Sequence, residues 1–130
     1  MAINAARAAE LGACGIDLNF GCPAKTVNRH DGGASLLKSP KRLYDVTRAV
    51  RGAVPSNKLV TAKIRLGFED TSLCVENALA LEEAGTSSIT VHCRTKVQGY
   101  RPPAHWEWIC KIKDVVKIPI VANGDIDSLE

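Results

Sequence analysis

Apolar and polar residues alternate along four short stretches of this chain. Between them, apolar positions recur every three or four residues. The alternating stretches, residues 15–19, 59–66, 88–93 and 118–123, read as strands. The first long-period stretch, residues 2–11, is alanine-rich and stops at Gly12. The second starts at Ser39-Pro40, a serine cap followed by proline at the first helical position, and carries Leu43, Val46, Ala49, Val50 and Ala53 up to Pro55. A third is expected to be capped by Asp70 or Thr71, to bury Val75, Ala78, Leu79 and Leu81, and to end at Gly85. Residues 106–116 give a fourth. After the first strand the pattern predicts a loop up to Gly32-Gly33 with one helical turn over 34–38, and after the third a polar loop through Pro102-Pro103.

Strands separated by helix-length segments imply βαβ units and a parallel sheet, an α/β fold. Parity sharpens this. Val60, Ala62, Ile64 and Leu66 share one face of the second strand, with Lys63 and Arg65 opposite; Ile89, Val91 and Cys93 oppose His92 and Arg94 on the third. Ile16 and Leu18 oppose Asp17 and Asn19, and Ile120 and Ala122 oppose Val121 and Asn123. Asn19, Lys63, Arg65, His92, Arg94 and Asn123 therefore gather at one end of one face, as at the mouth of a TIM (β/α)8 barrel. An open doubly wound sheet competes, but no GxGxxG follows any strand. A whole barrel takes roughly 250 residues. Four β/α units in 130 residues are expected to be about half of one, an incomplete barrel with strands missing before residue 1 or after residue 130.

Composition narrows the class. No apolar run approaches the roughly 20 residues of a membrane span, and no signal-peptide pattern opens the chain. Five scattered cysteines with no CxxC pair support neither a disulfide framework nor a metal site, and a cytoplasmic location is the simplest expectation. A net charge of +3 is compatible with a nucleic-acid partner without requiring one.

The most informative stretch is Asn19-Phe20-Gly21-Cys22-Pro23, just past the first strand. Gly21 permits backbone angles closed to other residues, and Pro23 biases Cys22 toward an extended conformation. The thiol is expected at a rigid corner above the sheet; the alternative is a buried cysteine in a turn.

Five motifs then fall in order. Asn19 to Lys25 with Gly33-Ala34-Ser35-Leu36-Leu37, Lys63-Ile64-Arg65-Leu66-Gly67, Val91-His92-Cys93-Arg94-Thr95 and Ala122-Asn123-Gly124-Asp125 together resemble successive motifs of the tRNA-dihydrouridine synthases. Val97 to Arg101 and Gly67-Phe68-Glu69 point to the bacterial C-type branch. The resemblance implies that the chain corresponds to barrel strands four to seven, without the first three strands, the eighth, or the C-terminal helical domain that grips tRNA. It implies FMN as cofactor, NADPH as reductant and tRNA as substrate, with hydride added to C6 of a uracil and a proton to C5. Cys22 matches the acid; an ordinary thiol holds its proton at neutral pH and can give it up. Lys63, His92, Asn123, Gly124 and Asp125 match flavin-binding positions. Asn19, Arg65 and Arg94 are candidates for touching the uracil or its backbone, and Lys25, Arg29, Lys96 and Arg101 for meeting tRNA phosphates.

Two other readings stand beside this one. Dihydroorotate dehydrogenase is another FMN barrel with a cysteine-proline turn and a strand lysine, but its small substrate needs no basic mouth loops. A non-catalytic RNA-binding remnant is the third. Two open sheet edges are a liability for folding alone, so the 130 residues in isolation are expected to bind FMN poorly and not to turn over.

Overall fold

A computed structural model describes residues 1–126. Helix α1 (Ala2–Glu10) leads into β1 (Gly15–Asn19), α2 (Lys25–Arg29), a 3-10 helix (Gly33–Lys38) and α3 (Pro40–Ala53). Then follow β2 (Leu59–Arg65), α4 (Cys74–Glu83), β3 (Ile89–His92), α5 (Glu107–Lys113) and β4 (Ile120–Asn123). The strands form one parallel sheet in the order β1-β2-β3-β4. Register sets Asn19 beside Lys63, Arg65 beside His92, and His92 beside Asn123.

The helices line up on one side of this sheet, α1 against α3, α3 against α4 and α4 against α5. Val60, Ala62, Ile64, Ile89 and Val91 point into that layer and are fully buried with Leu43, Val50, Ala78, Leu81 and Ile112. Burying one such side chain is worth about 1.5–3 kcal/mol. The opposite face carries no helix layer among the described residues. Val121 there is 50% exposed.

Serine does cap α3: Ser39 Oγ accepts from the Arg42 amide at 3.3 Å, with Pro40 at the first helical position. Three details differ from expectation. Residues 25–29 form a helix rather than loop, too short to show an apolar stripe. Neither Asp70 nor Thr71 supplies a side-chain cap to α4, which starts at Cys74. Asp70 Oδ1 instead accepts from the Ser72 amide (2.9 Å) and hydroxyl (2.6 Å), an Asx-type turn that ends the preceding loop. Finally, α4 buries Cys74, Asn77, Ala78 and Leu81, while Leu79 is exposed.

Candidate active site

At the C-terminal ends of the strands, on the face away from the helices, lies a cavity of about 330 Å³. Asn19, Cys22, Lys63, Arg65, His92 and Asn123 line it, joined by Tyr100 from the loop after β3. Six sequence candidates from four strand ends thus meet around one space. No carboxylate lines it among the described residues.

The cysteine corner is held by its backbone. The Phe20 amide extends the strand pairing to the Lys63 carbonyl (2.8 Å), and the Gly21 amide donates to Asn19 Oδ1 (2.9 Å). Arg65 Nε donates to the Gly21 carbonyl at 3.0 Å. The Cys22 carbonyl accepts from the Ala34 amide (3.1 Å) and from Asn28 Nδ2 (3.0 Å). The thiol itself is half-buried and faces the cavity.

Arg65 is 3% exposed, and its burial is compensated by carbonyls. Beyond Gly21 it donates to Gly99 (2.7 Å) and Thr95 (3.3 Å), so one guanidinium ties the cysteine corner to the 95–101 loop. Tyr100, 72% exposed, sits with its ring 5.1 Å from the guanidinium carbon and edge-on to His92 at 5.8 Å. Lys63 Nζ donates to Asn123 Oδ1 at 2.8 Å, bridging β2 and β4 across β3. Burial, and then the positive charge of Arg65, lower the Lys63 pKa from its ordinary value. An anionic group in the cavity would relieve that pressure.

His92 is pushed down to about 4, first by burial and then by Arg65, Lys63 and Arg94, with Asp125 opposing. It is neutral at pH 7. Its Nδ1 lies 3.5 Å from Arg65 Nη1. A guanidinium only donates, so Nδ1 carries the lone pair and Nε2 the proton. Beside Nε2 runs Gly124, at φ +119°, where a Cβ would lie 3.6 Å from Nε2 and 3.7 Å from Arg94 Nη1. The Gly124-Asp125 turn, both residues at positive φ, passes beside these two side chains at ordinary contact distance.

The remaining candidates lie outside the cavity lining. Arg94, 1% exposed, gives Nε to the Arg101 carbonyl (2.6 Å) and Nη2 to the Asp125 carboxylate, so its fork is consumed in joining two mouth loops. Lys25 and Arg29 are exposed on α2. Lys96 places Nζ 4.8 Å from the Phe68 ring, and Arg101 is exposed while donating to Val97 and Gln98 carbonyls. A separate cavity of about 230 Å³ at Leu37, Phe68 and Leu73 is also lined by the exposed Lys38–Glu69 ion pair, Asp70 and Ser72. It offers no proton donor comparable to a thiol.

Of the other cysteines, Cys74 and Cys93 are buried, and burial drives the Cys74 thiol up to about 12. Cys14 and Cys110 are exposed. No cluster of potential metal ligands occurs among the described residues, and no helix there is long and apolar enough to cross a membrane. Sequence reasoning assigned no role to Asn28, which no local signal marks.

The donor set fits a flavin. An ammonium, a neutral imidazole with Nε2–H and an amide surround a cavity that no carboxylate lines among the described residues, beside a glycine turn at positive φ. The chain is 59% identical over its whole length to a tRNA-dihydrouridine(16) synthase of Pseudomonas putida and 55% identical to one of Neisseria meningitidis serogroup B. It is 57% identical over 97% of its length to one of Shewanella oneidensis. It spans about 40% of the length of these relatives. A crystal structure of a dihydrodipicolinate synthase family protein from Coccidioides immitis superposes over 97% of this chain and 37% of its own, with a TM-score of 0.66 at 17% identity. That likeness concerns the fold alone, a partial TIM-type barrel of four β/α units. The family model for dihydrouridine synthase (Dus) matches residues 1–130, and the chain belongs to that family.

Proposed function

We propose that the protein carrying this chain reduces a uridine of tRNA to 5,6-dihydrouridine, at the position numbered 16 in the names of its relatives, using FMN and NADPH. The observation that carries this reading is the convergence of Cys22, Lys63, His92 and Asn123 on one cavity at the strand ends, lined by no carboxylate among the described residues.

Reduced FMN, when bound, supplies the hydride that adds to C6 of the uracil, and NADPH restores it. Lys63, His92, Asn123 and the Gly124-Asp125 turn are the residues that would hold it. Lys63 offers a cation whose pKa is already lowered by burial and by Arg65, so negative charge in the cavity is favoured. Asn123 fixes the direction of that ammonium through its Oδ1. His92, neutral, donates from Nε2 and adds no further positive charge. Hydride addition at C6 leaves an electron pair at C5, spread onto the C4 carbonyl. Cys22 Sγ–H protonates C5 from the opposite side of the ring, and the thiolate regains a proton from solvent. Asn19 and Arg65 line the cavity and would meet the uracil edge, and the exposed Lys25, Arg29 and Arg101 with the half-buried Lys96 would be available to tRNA phosphates. Such an enzyme works where tRNA is, in the cytoplasm.

The 130 residues alone present the edges of β1 and β4 to solvent, and we expect them to hold flavin weakly. Stoichiometric yellow flavin retained through their purification would overturn that. For the function, tRNA from a strain lacking the full-length gene is digested and examined by mass spectrometry. Loss of dihydrouridine at position 16 supports the reading; an unchanged dihydrouridine profile sinks it.

A further inference from the structure

The side chain of Cys22 faces the cavity, but its direction is set from behind. Asn28, on the last turn of α2, points its Nδ2 back at two carbonyls, those of Cys22 (3.0 Å) and Ala24 (2.7 Å). Two carbonyl acceptors require the amide nitrogen there, so the orientation of the Asn28 amide is fixed by chemistry. Its Oδ1 is buried and meets no donor among the described residues. A buried acceptor left unpaired is a cost, and its retention calls for a reason. Gly33 closes the other side of the corner. At φ +55° it brings its backbone so near that a Cβ would lie 2.9 Å from the Cys22 oxygen and 3.0 Å from the Cys22 Cβ. That approach lets the next amide, Ala34 N, share the same carbonyl at 3.1 Å.

The geometry points to Asn28 as a positioning residue for Cys22, acting with Gly33 to clamp the peptide that aims the thiol into the cavity. The inference rests on the assignment of Cys22 as proton donor. Asn28 touches neither flavin nor uracil in this account; it governs where the acid stands. The step it serves is proton delivery to C5, and the reduction of flavin by NADPH does not use it.

The test uses the full-length, flavin-loaded protein with Asn28→Asp and Asn28→Ala. Aspartate keeps the size of the side chain but turns an oxygen toward both carbonyls. Both variants should retain flavin, keep NADPH oxidation with dioxygen as acceptor, and lose tRNA reduction roughly 10- to 100-fold, the scale of a small misplacement of a reacting group. In both, iodoacetamide should label Cys22 faster, as resolved by peptide mass spectrometry, while the exposed Cys14 and Cys110 keep their parental rates. Unchanged tRNA reduction and unchanged Cys22 labelling would overturn the inference. So would a parallel loss of flavin content and NADPH oxidation, which marks a merely structural residue. If the parent itself shows no flavin-dependent NADPH oxidation, the functional reading fails instead, and the Cys22 labelling rate decides the positioning role on its own.

Discussion

On the helix-covered face of the sheet, Val60, Ala62, Ile64, Ile89 and Val91 lose all contact with solvent. On the other face the same β2 and β3 carry Lys63, Arg65 and His92, with Asn123 beside them on β4. The first face is satisfied by volume and shape, and similar apolar residues would serve it. The second buries cations and a neutral imidazole, which is tolerable only because loop carbonyls receive the guanidinium and Asn123 receives the ammonium. Adjacent positions on one strand thus answer to different demands. Apolar packing occupies one face, and the polar groups that line the cavity gather on the other.

Substitutions in the full-length protein can break that division. The largest effect is expected from Cys22→Ala, which should lower tRNA reduction by about 10²–10⁴-fold, the usual contribution of a general acid. Flavin content and thermal midpoint should stay at parental values. If turnover persists, the thiol is not the donor; if the protein unfolds, the separation of the faces is wrong.

Ile64→Ala probes the other side of the same strand. Truncating a fully buried isoleucine should cost about 2–5 kcal/mol in chemical denaturation. The fraction still folded should turn over as the parent does, so a loss of specific activity per bound flavin would contradict the comparison.

His92 tests the chemical face through pH. Its pKa is about 4 in the folded protein, below the ordinary 6.5. As pH falls below 6.5 the unfolded chain takes the proton first, so stability declines between about pH 6.5 and 4 and levels off beneath. The thermal midpoint should fall across that window, and His92→Gln should flatten the fall. Identical pH profiles for parent and variant would mean that other groups govern it.

The smallest change is expected away from both faces. The Lys41–Asp45 pair on α3 is exposed, and Asp45→Asn should shift stability by only about 0.3–0.5 kcal/mol with no effect on turnover. A larger loss would show that the outer helix surface matters more than the two-face picture allows.

Local pattern was enough for the strands, because a half-polar strand in a parallel sheet writes its two faces into alternate residues. β1 was read at its observed bounds, and β2 ends within one residue of expectation. The meeting of Asn19, Cys22, Lys63, His92 and Asn123 at one mouth also follows from parity, since parallel strands present the same end. Short elements were not legible. Five residues of α2 cannot express a 3.6-residue period, and the choice of Asp70 between capping α4 and bonding Ser72 depends on where the loop must go.

The sequence by itself determined the layered α/β architecture, the polar end of the sheet and the family, because each rests on residue type at fixed spacing. Tertiary structure decided how the inward side chains divide their work. Arg65 and Arg94 have the same parity on neighbouring segments, yet Arg65 lines the cavity while Arg94 is sealed between Asp125 and the Arg101 carbonyl. Likewise, nothing local marks Asn28 as the residue that holds the Cys22 carbonyl. A hydrogen bond's partner depends on loops arriving from distant parts of the chain, and only their packing settles which side chain reaches which oxygen.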